Sequence, residues 1–247
     1  MENAMESISP TARTRVRRRA NRAAYDSATL HAIVDEALLC HLGVVVDGMP
    51  RVLPTLHVRL GSQIYVHGAP RNGTFDALRT GAPVCLTISL VDGLVLARSA
   101  MHHSMNYRSV MVYGTAREVT DVVEKRRALE AMVEHVMPGR LAEVRPPDES
   151  EIHATAVFAL PISEASAKVR QGPPVDAARD LALPAWAGVV PLRLTAGRPQ
   201  EASDDAAGTA APSAALRRYM ALHGTPVGAE SGMDVGAVQE GSRPTAD

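Results

Sequence analysis

Between His41 and Val119 the sequence consists of short apolar runs that alternate with turn-forming residues. Asp47-Gly48 separates Leu42–Val46 from Arg51–Arg59, and an Asp-Gly pair between two such runs is typical of a tight hairpin. At least six runs recur at a spacing of about ten residues. This spacing predicts a mainly β fold, an antiparallel barrel or sandwich rather than a parallel sheet.

The other strands are predicted by the same rule. Gly61-Ser62 precedes a strand over Gln63–His67, and Asp92-Gly93 predicts a second hairpin between Pro83–Leu90 and Leu94–Ser99. Further strand-like runs lie at Tyr107–Tyr113, Thr115–Val119, Ala156–Leu160, Ala165–Arg170 and Trp186–Leu192.

Flanking helices are predicted where apolar residues recur with the helical period. Ser27 or Thr29 can cap the first helix, and a short helical segment is expected over Thr74–Arg79. Asp121, followed three residues later by a glutamate, resembles a capping box and begins a longer amphipathic helix, which Pro138-Gly139 ends.

Composition divides the chain into three parts. Residues 1–24 form a basic N-terminal arm without apolar periodicity, which is typical of a solvated or partner-packing segment. Residues 25–194 form the folded domain. Residues 195–247 are rich in Ala, Gly, Ser, Thr and Pro and are expected to be a disordered tail, apart from a weak helical pattern at Ala214–Leu222.

Charge and aromatic content exclude several classes of protein. The 247 residues carry a formal net charge of −1, which excludes a whole-domain polyanion binder, and only 3% are aromatic, too few for a platform that stacks bases or sugars. Cys40 and Cys85 lie inside apolar runs and are expected to be reduced, buried thiols. No apolar stretch is long enough to span a membrane and no signal-peptide core is present, so we expect a cytoplasmic protein.

The segment from Arg98 to Gly114 has more hydrogen-bonding side chains than a core strand needs. Asn106 and Arg108 point to one side of the predicted strand, whereas Tyr107 and Ser109 point to the other. The segment can therefore bind a polar ligand, form an interface or be a solvated loop, and the ligand is the leading interpretation.

A second candidate lies at residues 67–76, which join a strand to a short helix through a glycine-containing loop. Backbone N–H groups at the start of the helix, together with Arg71, Asn72 and Thr74, could bind a phosphate. The adjacent pair His102-His103 invites a metal interpretation, but neighbouring residues on an extended chain diverge and a third ligand is missing, so no metal site is predicted.

Three stretches resemble the pyridoxamine 5′-phosphate oxidase-related flavin-nucleotide-binding proteins, which include the nitroimidazole-resistance type. They are LCHLGVVVDGMPRVLPTLHVRLGSQIYVHG, GAPVCLTISLVDGLVLARSAMHHSMNYRSVMVYG and EASAKVRQGPP with the later LPAWAGVVPL, and the resemblance covers residues 11–192. It implies a split β-barrel homodimer that binds FMN in two clefts at the subunit interface.

The resemblance also assigns roles to residues of this chain. It places the flavin ring against the strand Arg51–His57, the phosphate at the loop His67–Thr74 and the closing C-terminal segment at Lys168, Arg170 and Trp186. The cofactor-binding residues it implies, taken with the polar clusters above, are Arg51, Pro54, Thr55, Leu56, His67, Gly68, Arg71, Asn72, Thr74, Asn106, Arg108, Ser109, Lys168 and Trp186.

The phosphate loop departs from the family at one point. Relatives often have a Ser-Arg pair where this chain has Asn72-Gly73, so an always-charged bidentate phosphate ligand is missing. Arg71 or Thr74 could replace it, or the cofactor could be haem or a deazaflavin. If it is haem, the axial candidates are His57, His67, His102 and His103.

The leading hypothesis is an FMN-dependent oxidoreductase that acts on a small molecule, with no side chain identified as an acid or base catalyst. The alternatives are a haem-binding split-barrel protein and a non-catalytic flavin-binding or regulatory protein whose basic arm contacts nucleic acid. A nucleic-acid partner is the less favoured expectation, and self-association into a homodimer is expected.

Overall fold

An antiparallel sheet of ten strands forms the framework of this computed structural model, which describes residues 7–201 and 211–224. The strands are β1 (Ala23–Ala24), β2 (Leu39–Val46), β3 (Met49–Leu60), β4 (Gln63–Gly68), β5 (Pro83–Leu96), β6 (Ser104–Thr115), β7 (Arg117–Glu118), β8 (Ala156–Pro161), β9 (Glu164–Arg170) and β10 (Gly188–Pro191). The helices are α1 (Ser27–Glu36), α2 (Gly73–Arg79), α3 (Val122–Val136), α4 (Glu149–His153) and α5 (Ala214–His223). The prediction of a mainly antiparallel β fold with flanking helices is confirmed.

The sheet has the strand order β1-β9-β6-β5-β2-β3-β4-β8-β7, and β10 pairs with β5. The hydrogen bonds between the described strands do not close this sheet into a barrel. The β7 end of the sheet lies near β6 through chain continuity instead, because only Ala116 separates β6 from β7, and β7 pairs with β8 over just two residues. Beside this junction Gly114 of β6 lies against the side chain of Leu160 in β8 without a ladder hydrogen bond between them.

The first hairpin has the predicted geometry. Asp47 and Gly48 have φ values of 51° and 76°, and positive φ at both central residues is the geometry of the two-residue turn that matches strand twist. The strands β2 and β3 pair from Leu39 opposite Leu56 to Val46 opposite Met49. β3 then continues past β2 and pairs with β4, so this one long strand links the two parts of the sheet.

The second predicted hairpin is wrong. Asp92-Gly93 is a bulge within the single strand β5, because residues on both sides of it pair with β6. Gly93 does not have a positive φ, and Asp92 is held by an ion pair with Arg108 rather than by a turn. The neighbouring runs Tyr107–Tyr113 and Thr115–Val119 do not form a hairpin, since β7 pairs with β8 and not with β6.

Two apolar clusters hold the helices on the sheet. The larger contains Leu30 and Val34 of α1 and Phe75 of α2, and the Phe75 ring packs 5.0 Å from the Phe158 ring of β8. The smaller lies under α3 and includes Met132. Asp26, rather than Ser27 or Thr29, caps α1 by accepting a hydrogen bond from the backbone N–H of Thr29. Asp121 caps α3 as predicted.

The chain forms two compact units, Met1–Arg193 and Leu194–Asp247. In the first, part of the basic arm packs on the sheet: β1 pairs with β9, and Arg13 and Thr11 both bind the Glu164 carboxylate. In the second, the expected helix is present as α5. Residues 202–210 and 225–247 of the expected disordered tail, and residues 1–6 of the arm, lie outside the described residues.

Both cysteines are free thiols, as predicted. Cys40 is buried, and burial raises the pKa of its thiol to about 12, so it is a protonated, inert core side chain. Cys85 is half-buried, with its sulfur 3.8 Å from the Thr87 hydroxyl.

Candidate functional site

The space beside Gly73 is filled by an arginine from a neighbouring strand. A Cβ at Gly73 would lie 2.9 Å from a terminal guanidinium nitrogen (Nη1) of Arg51. The register of the first hairpin explains this approach, because Arg51 lies opposite Val44, on the sheet face that α2 covers. The arginine that relatives often have in this loop is missing from the sequence, yet a guanidinium reaches the same loop from β3.

The loop before α2 has a defined geometry. Asn72 caps α2: its side-chain oxygen accepts a hydrogen bond of 2.9 Å from the Thr74 backbone N–H. Thr74 is buried at the first turn of the helix. At the end of β4, a Cβ on Gly68 would lie 2.9 Å from the Phe75 ring, so α2 can pack this closely only because the residue is glycine. The loop is therefore fixed from both sides.

The loop has positive charges that no acidic side chain neutralises. Arg51 and Arg71 are exposed and, within residues 7–201 and 211–224, form no ion pair. By contrast, Arg79 at the other end of α2 is bound to Asp76 and Glu118. The loop therefore offers two free guanidinium groups to an anion, whereas the arginine at the end of the same helix is already bound by two carboxylates.

His67 adds a buried polar atom to this region. Its Nδ1 is shielded from solvent and has no hydrogen-bond partner in the described part of the chain. Burial lowers the pKa of His67, so the ring is neutral near pH 7. A buried nitrogen without a hydrogen-bond partner is uncommon in protein cores. The end of β4, just before the loop, is therefore a polar position.

The predicted ring-contacting residues follow Arg51 along β3. Pro54 is exposed, and Thr55 lies opposite Cys40 with its hydroxyl 3.5 Å from the Leu56 carbonyl oxygen. Leu56 is half-buried against the cluster under α3. The structure therefore brings Arg51 and the loop residues together and lines up Pro54, Thr55 and Leu56 on the same strand.

Arg108, in the second predicted cluster, already has carboxylate partners. Its guanidinium binds both oxygens of Asp92, at 3.0 and 2.6 Å, and both oxygens of Glu36. Hydrogen bonds to these two carboxylates raise the pKa of Arg108 far above its usual value. The expectation that Arg108 binds an anionic ligand is not supported by these contacts.

The other residues of the second cluster are also engaged. Asn106 is buried and accepts a hydrogen bond from Arg170, and the Ser109 hydroxyl lies 3.4 Å from the Lys168 carbonyl oxygen. Trp186 is 65% exposed and lies over Gly188 at the start of β10. Lys168 lies on β9, and β6, β5 and β2 separate β9 from β3 in the sheet. A single copy of the sheet thus keeps Lys168 away from the Arg51 strand.

The four histidines proposed as haem ligands differ in accessibility. His57 is fully buried, bonds the Val34 carbonyl oxygen through Nε2 and lies 5.6 Å from the His135 ring, so it is a core residue. His67 is half-buried, and His102 and His103 are exposed. Within the described ranges no group of three or more His, Cys, Asp or Glu side chains could hold a metal ion.

Sequence reasoning missed two features of these sites. The contact between Arg51 and Gly73 joins residues 22 positions apart in different elements, and only the glycine in place of the expected arginine hints at it. The partners of Arg108 were also missed, because Asp92 has the sequence signature of a turn and Glu36 that of an ordinary helix end.

The sequence profile of the family described as pyridoxamine 5′-phosphate oxidase matches residues 26–169. No curated protein matches the chain. No helix within the described ranges is long and apolar enough to cross a membrane.

Solved structures agree with the profile. The flavocytochrome Anf3 from Azotobacter vinelandii is 41% identical with a TM-score of 0.78, and the alignment covers 85% of this chain and 98% of that one. A FAD- and haem-binding protein from Mycobacterium smegmatis is 35% identical with a TM-score of 0.75, covering 80% and 97%. A putative 5-nitroimidazole antibiotic resistance protein from Bacteroides thetaiotaomicron is 25% identical with a TM-score of 0.52, covering 60% and 86%.

Proposed function

Because the chain belongs to the pyridoxamine 5′-phosphate oxidase family, we propose that it is a flavin-nucleotide-binding redox protein that acts on a small molecule. The observation that supports this most directly is the free guanidinium of Arg51 in the space that Gly73 leaves open. A phosphate is one of the two anionic groups, with carboxylate, that a bidentate, permanently charged guanidinium binds well.

The residues present fit a flavin nucleotide. Arg51 and Arg71 supply charge, Asn72 and Thr74 fix the loop, and Gly68 lets α2 pack close to β4. Pro54, Thr55 and Leu56 form the strand against which the ring would lie. The flavin supplies hydride and electron transfer when bound, and the protein's part is to bind and orient it and to adjust its potential with nearby charges.

FMN is the cofactor that we propose, since its single phosphate matches one free cationic loop. FAD is the second form, favoured by the similarity to the FAD- and haem-binding protein from M. smegmatis and by the same phosphate chemistry. A deazaflavin would use the same phosphate contacts and is separated from both by mass.

We further propose that the protein is a homodimer with a split-barrel subunit. The sheet face opposite the main core exposes Leu39, Val45, Val52 and Met111, at 49, 58, 61 and 38% of their surface. An exposed apolar sheet face of this kind is typical of a protein–protein interface. In a dimer the Ser109, Lys168 and Trp186 of a second copy would complete the flavin cleft that one sheet leaves incomplete.

Haem is a second candidate cofactor, alone or with flavin. Two structures at 41 and 35% identity are of a flavocytochrome and of a FAD- and haem-binding protein. Among the axial candidates, His102 and His103 are exposed and bordered by the exposed Met101 and Met105, whereas His57 is enclosed in the core. An accessible imidazole next to exposed thioether side chains suits a haem better than a buried histidine does.

The test is the absorbance spectrum and the mass of the cofactor released from protein purified without additives. Bands near 375 and 450 nm (approximate values for a flavin) with the mass of FMN or FAD support the proposal. A band near 400 nm (an approximate value for haem) supports the second candidate. A colourless protein that binds neither added flavin nor haem would contradict both.

A further inference from the structure

The backbone of the basic arm, residues 7–24, is fixed by hydrogen bonds to the folded domain. The Tyr25 hydroxyl holds it at two points, because it accepts a hydrogen bond of 3.0 Å from the Val16 backbone N–H and donates one of 3.3 Å to the Thr14 carbonyl oxygen. Thr14 is buried, and its hydroxyl accepts a hydrogen bond of 2.8 Å from the Thr11 backbone N–H. The arm therefore follows a defined path over the surface of the domain.

Four arginines of this fixed segment, called here the arm arginines, are exposed: Arg15, Arg17, Arg18 and Arg19. Within residues 7–201 and 211–224 none of them forms an ion pair. The sequence has no acidic residue between positions 7 and 25, and Glu164, which contacts the arm, already binds Arg13. Four positive charges within five positions are therefore left without a counter-charge.

The backbone at Arg19 adds a second observation. In the described part of the chain only Arg19, with a φ of 57°, and Asp47 of the first hairpin turn combine a side chain with a positive φ. This left-handed conformation is strained for an arginine, whereas glycine adopts it without a steric cost. Arg19 precedes the short 3₁₀ turn Ala20–Arg22, and its carbonyl oxygen accepts a hydrogen bond of 2.9 Å from the Arg22 N–H. An arginine at a position that favours glycine indicates that the position requires the side chain.

The surroundings of the arm arginines indicate the chemistry of their partner. Among residues 7–24 no large apolar side chain is exposed, so the arm has neither a hydrophobic centre for a stable protein contact nor a side chain to insert into a lipid layer. Tyr25, the aromatic residue that follows the arm, is half-buried and its hydroxyl is in use, so it is not available to stack on an unpaired base. These features favour a partner that is bound through charge alone, and the phosphate backbone of a nucleic-acid duplex is such a partner.

We propose that the arm arginines bind the phosphate backbone of double-stranded nucleic acid without reading its sequence. Arginine donates to phosphate oxygens in bidentate fashion and keeps its charge at physiological pH. The net charge of −1 belongs to the whole chain and does not oppose this contact, because charges more than about 10 Å away are largely screened at 0.1 M salt. In the sheet, β9, β6, β5 and β2 lie between β1, which follows the arm, and the strand of Arg51. The proposal therefore does not depend on flavin binding.

The experiment is a fluorescence-anisotropy titration of labelled DNA duplexes of about 20 base pairs with the full-length protein, between about 50 and 200 mM salt. Wild type should bind duplexes of unrelated sequence equally, and log K should fall with log salt with a slope of about −3.6, the value for four phosphate contacts. The arm variant, Arg17→Gln with Arg18→Gln, should bind about tenfold more weakly or worse, with about half the slope. The control variant, Arg193→Gln with Arg198→Gln, removes the same charge from two exposed arginines without an ion pair in the described ranges and should bind like wild type.

Arg19→Gly separates the role of the side chain from that of the backbone. It removes one arginine and relieves the positive φ, so it should weaken duplex binding by about threefold or more without lowering the unfolding midpoint.

Three results would overturn the proposal. The first is no duplex binding by wild type at about 50 mM salt. The second is equal duplex binding by wild type and the arm variant. The third is tighter binding to vesicles that contain phosphatidylserine than to the duplex, lost in the arm variant, which would assign the arm to a membrane instead. Flavin content measured on the same samples reports separately on the proposed cofactor.

Discussion

Two arginine clusters have similar sequence signatures but opposite environments. Arg51 lies exposed beside Gly73 without an acidic partner, whereas Arg108 lies between Glu36 and Asp92. A guanidinium that is already bonded to two carboxylates has little left to offer an anionic ligand, while a free one has all its donors available. The comparison teaches that the charge of the neighbours, rather than the presence of arginine, decides whether a guanidinium has donors free for a ligand.

The largest expected effect is on ligand binding at the free cluster. Arg51→Gln should lower flavin-nucleotide affinity by about 10- to 100-fold, because it removes a charge-assisted phosphate contact of about 1.5–3 kcal/mol. The unfolding midpoint of the flavin-free protein should stay the same, since Arg51 has no acidic partner that its removal would leave without a counter-charge. Fluorescence titration and thermal unfolding measure the two quantities.

A rescue variant sharpens this prediction. In the Arg51→Gln background, Gly73→Arg places the guanidinium where relatives often have one and should restore part of the lost affinity. Gly73 does not have a positive φ, so the backbone accepts the change. Gly197→Ala, at a glycine with open space around it, should leave affinity unchanged. Failure of the rescue would show that the position of the charge at this loop is unimportant.

The next largest effect is on the free energy of unfolding and comes from the packing of α2 against β4, which holds the Arg51 loop in place. Gly68→Ala forces a methyl group against the buried Phe75 ring, which itself packs on Phe158, and should destabilise the fold by about 1–3 kcal/mol. Urea unfolding of the flavin-free protein measures this. A loss below about 0.3 kcal/mol would mean that α2 moves away from β4 at little cost.

Removing the neutralised arginine should affect stability more than binding. Arg108→Gln leaves Glu36 and Asp92 without a counter-charge, and because both carboxylates are partly solvated the expected loss is about 1–2 kcal/mol. Flavin affinity should change less than about threefold. A large loss of affinity without loss of stability would place Arg108 in the flavin site and break the contrast with Arg51.

The smallest expected effect is on the pH dependence of stability and comes from His57. Its ring bonds the Val34 carbonyl oxygen in α1, the helix that ends at Glu36. Burial lowers the pKa of His57 in the folded state, so below about pH 6.5 the unfolded state binds more protons than the folded state. This contribution to stability is complete above that pH and is lost as the pH falls below it. His57→Gln should flatten the decrease in unfolding free energy between pH 7 and 5, measured by denaturant unfolding with wild type as the reference. An unchanged slope would contradict the assignment.

Local patterns predicted the elements but not the contacts between them. The Asp47-Gly48 turn, the Asp121 cap and the short helix α2 were all readable, because each depends on a few neighbouring residues. Asp92-Gly93 was misread, since a bulge and a turn use the same residues and only pairing with β6 on both sides separates them.

For the site, too, local features could be predicted from the sequence, whereas contacts between elements could not. The loop from His67 to Thr74 follows from sequence, and the resemblance implied Arg51, but the approach of Arg51 to Gly73 could be found only once the register of β2 and β3 was known.

The most direct test compares FMN with riboflavin, which differ only in the phosphate, on flavin-free wild type, Arg51→Gln and Arg108→Gln. Wild type and Arg108→Gln should prefer FMN by about 100-fold, and Arg51→Gln should reduce that preference to about threefold. If Arg51→Gln keeps the full preference for FMN, the phosphate does not bind at Arg51.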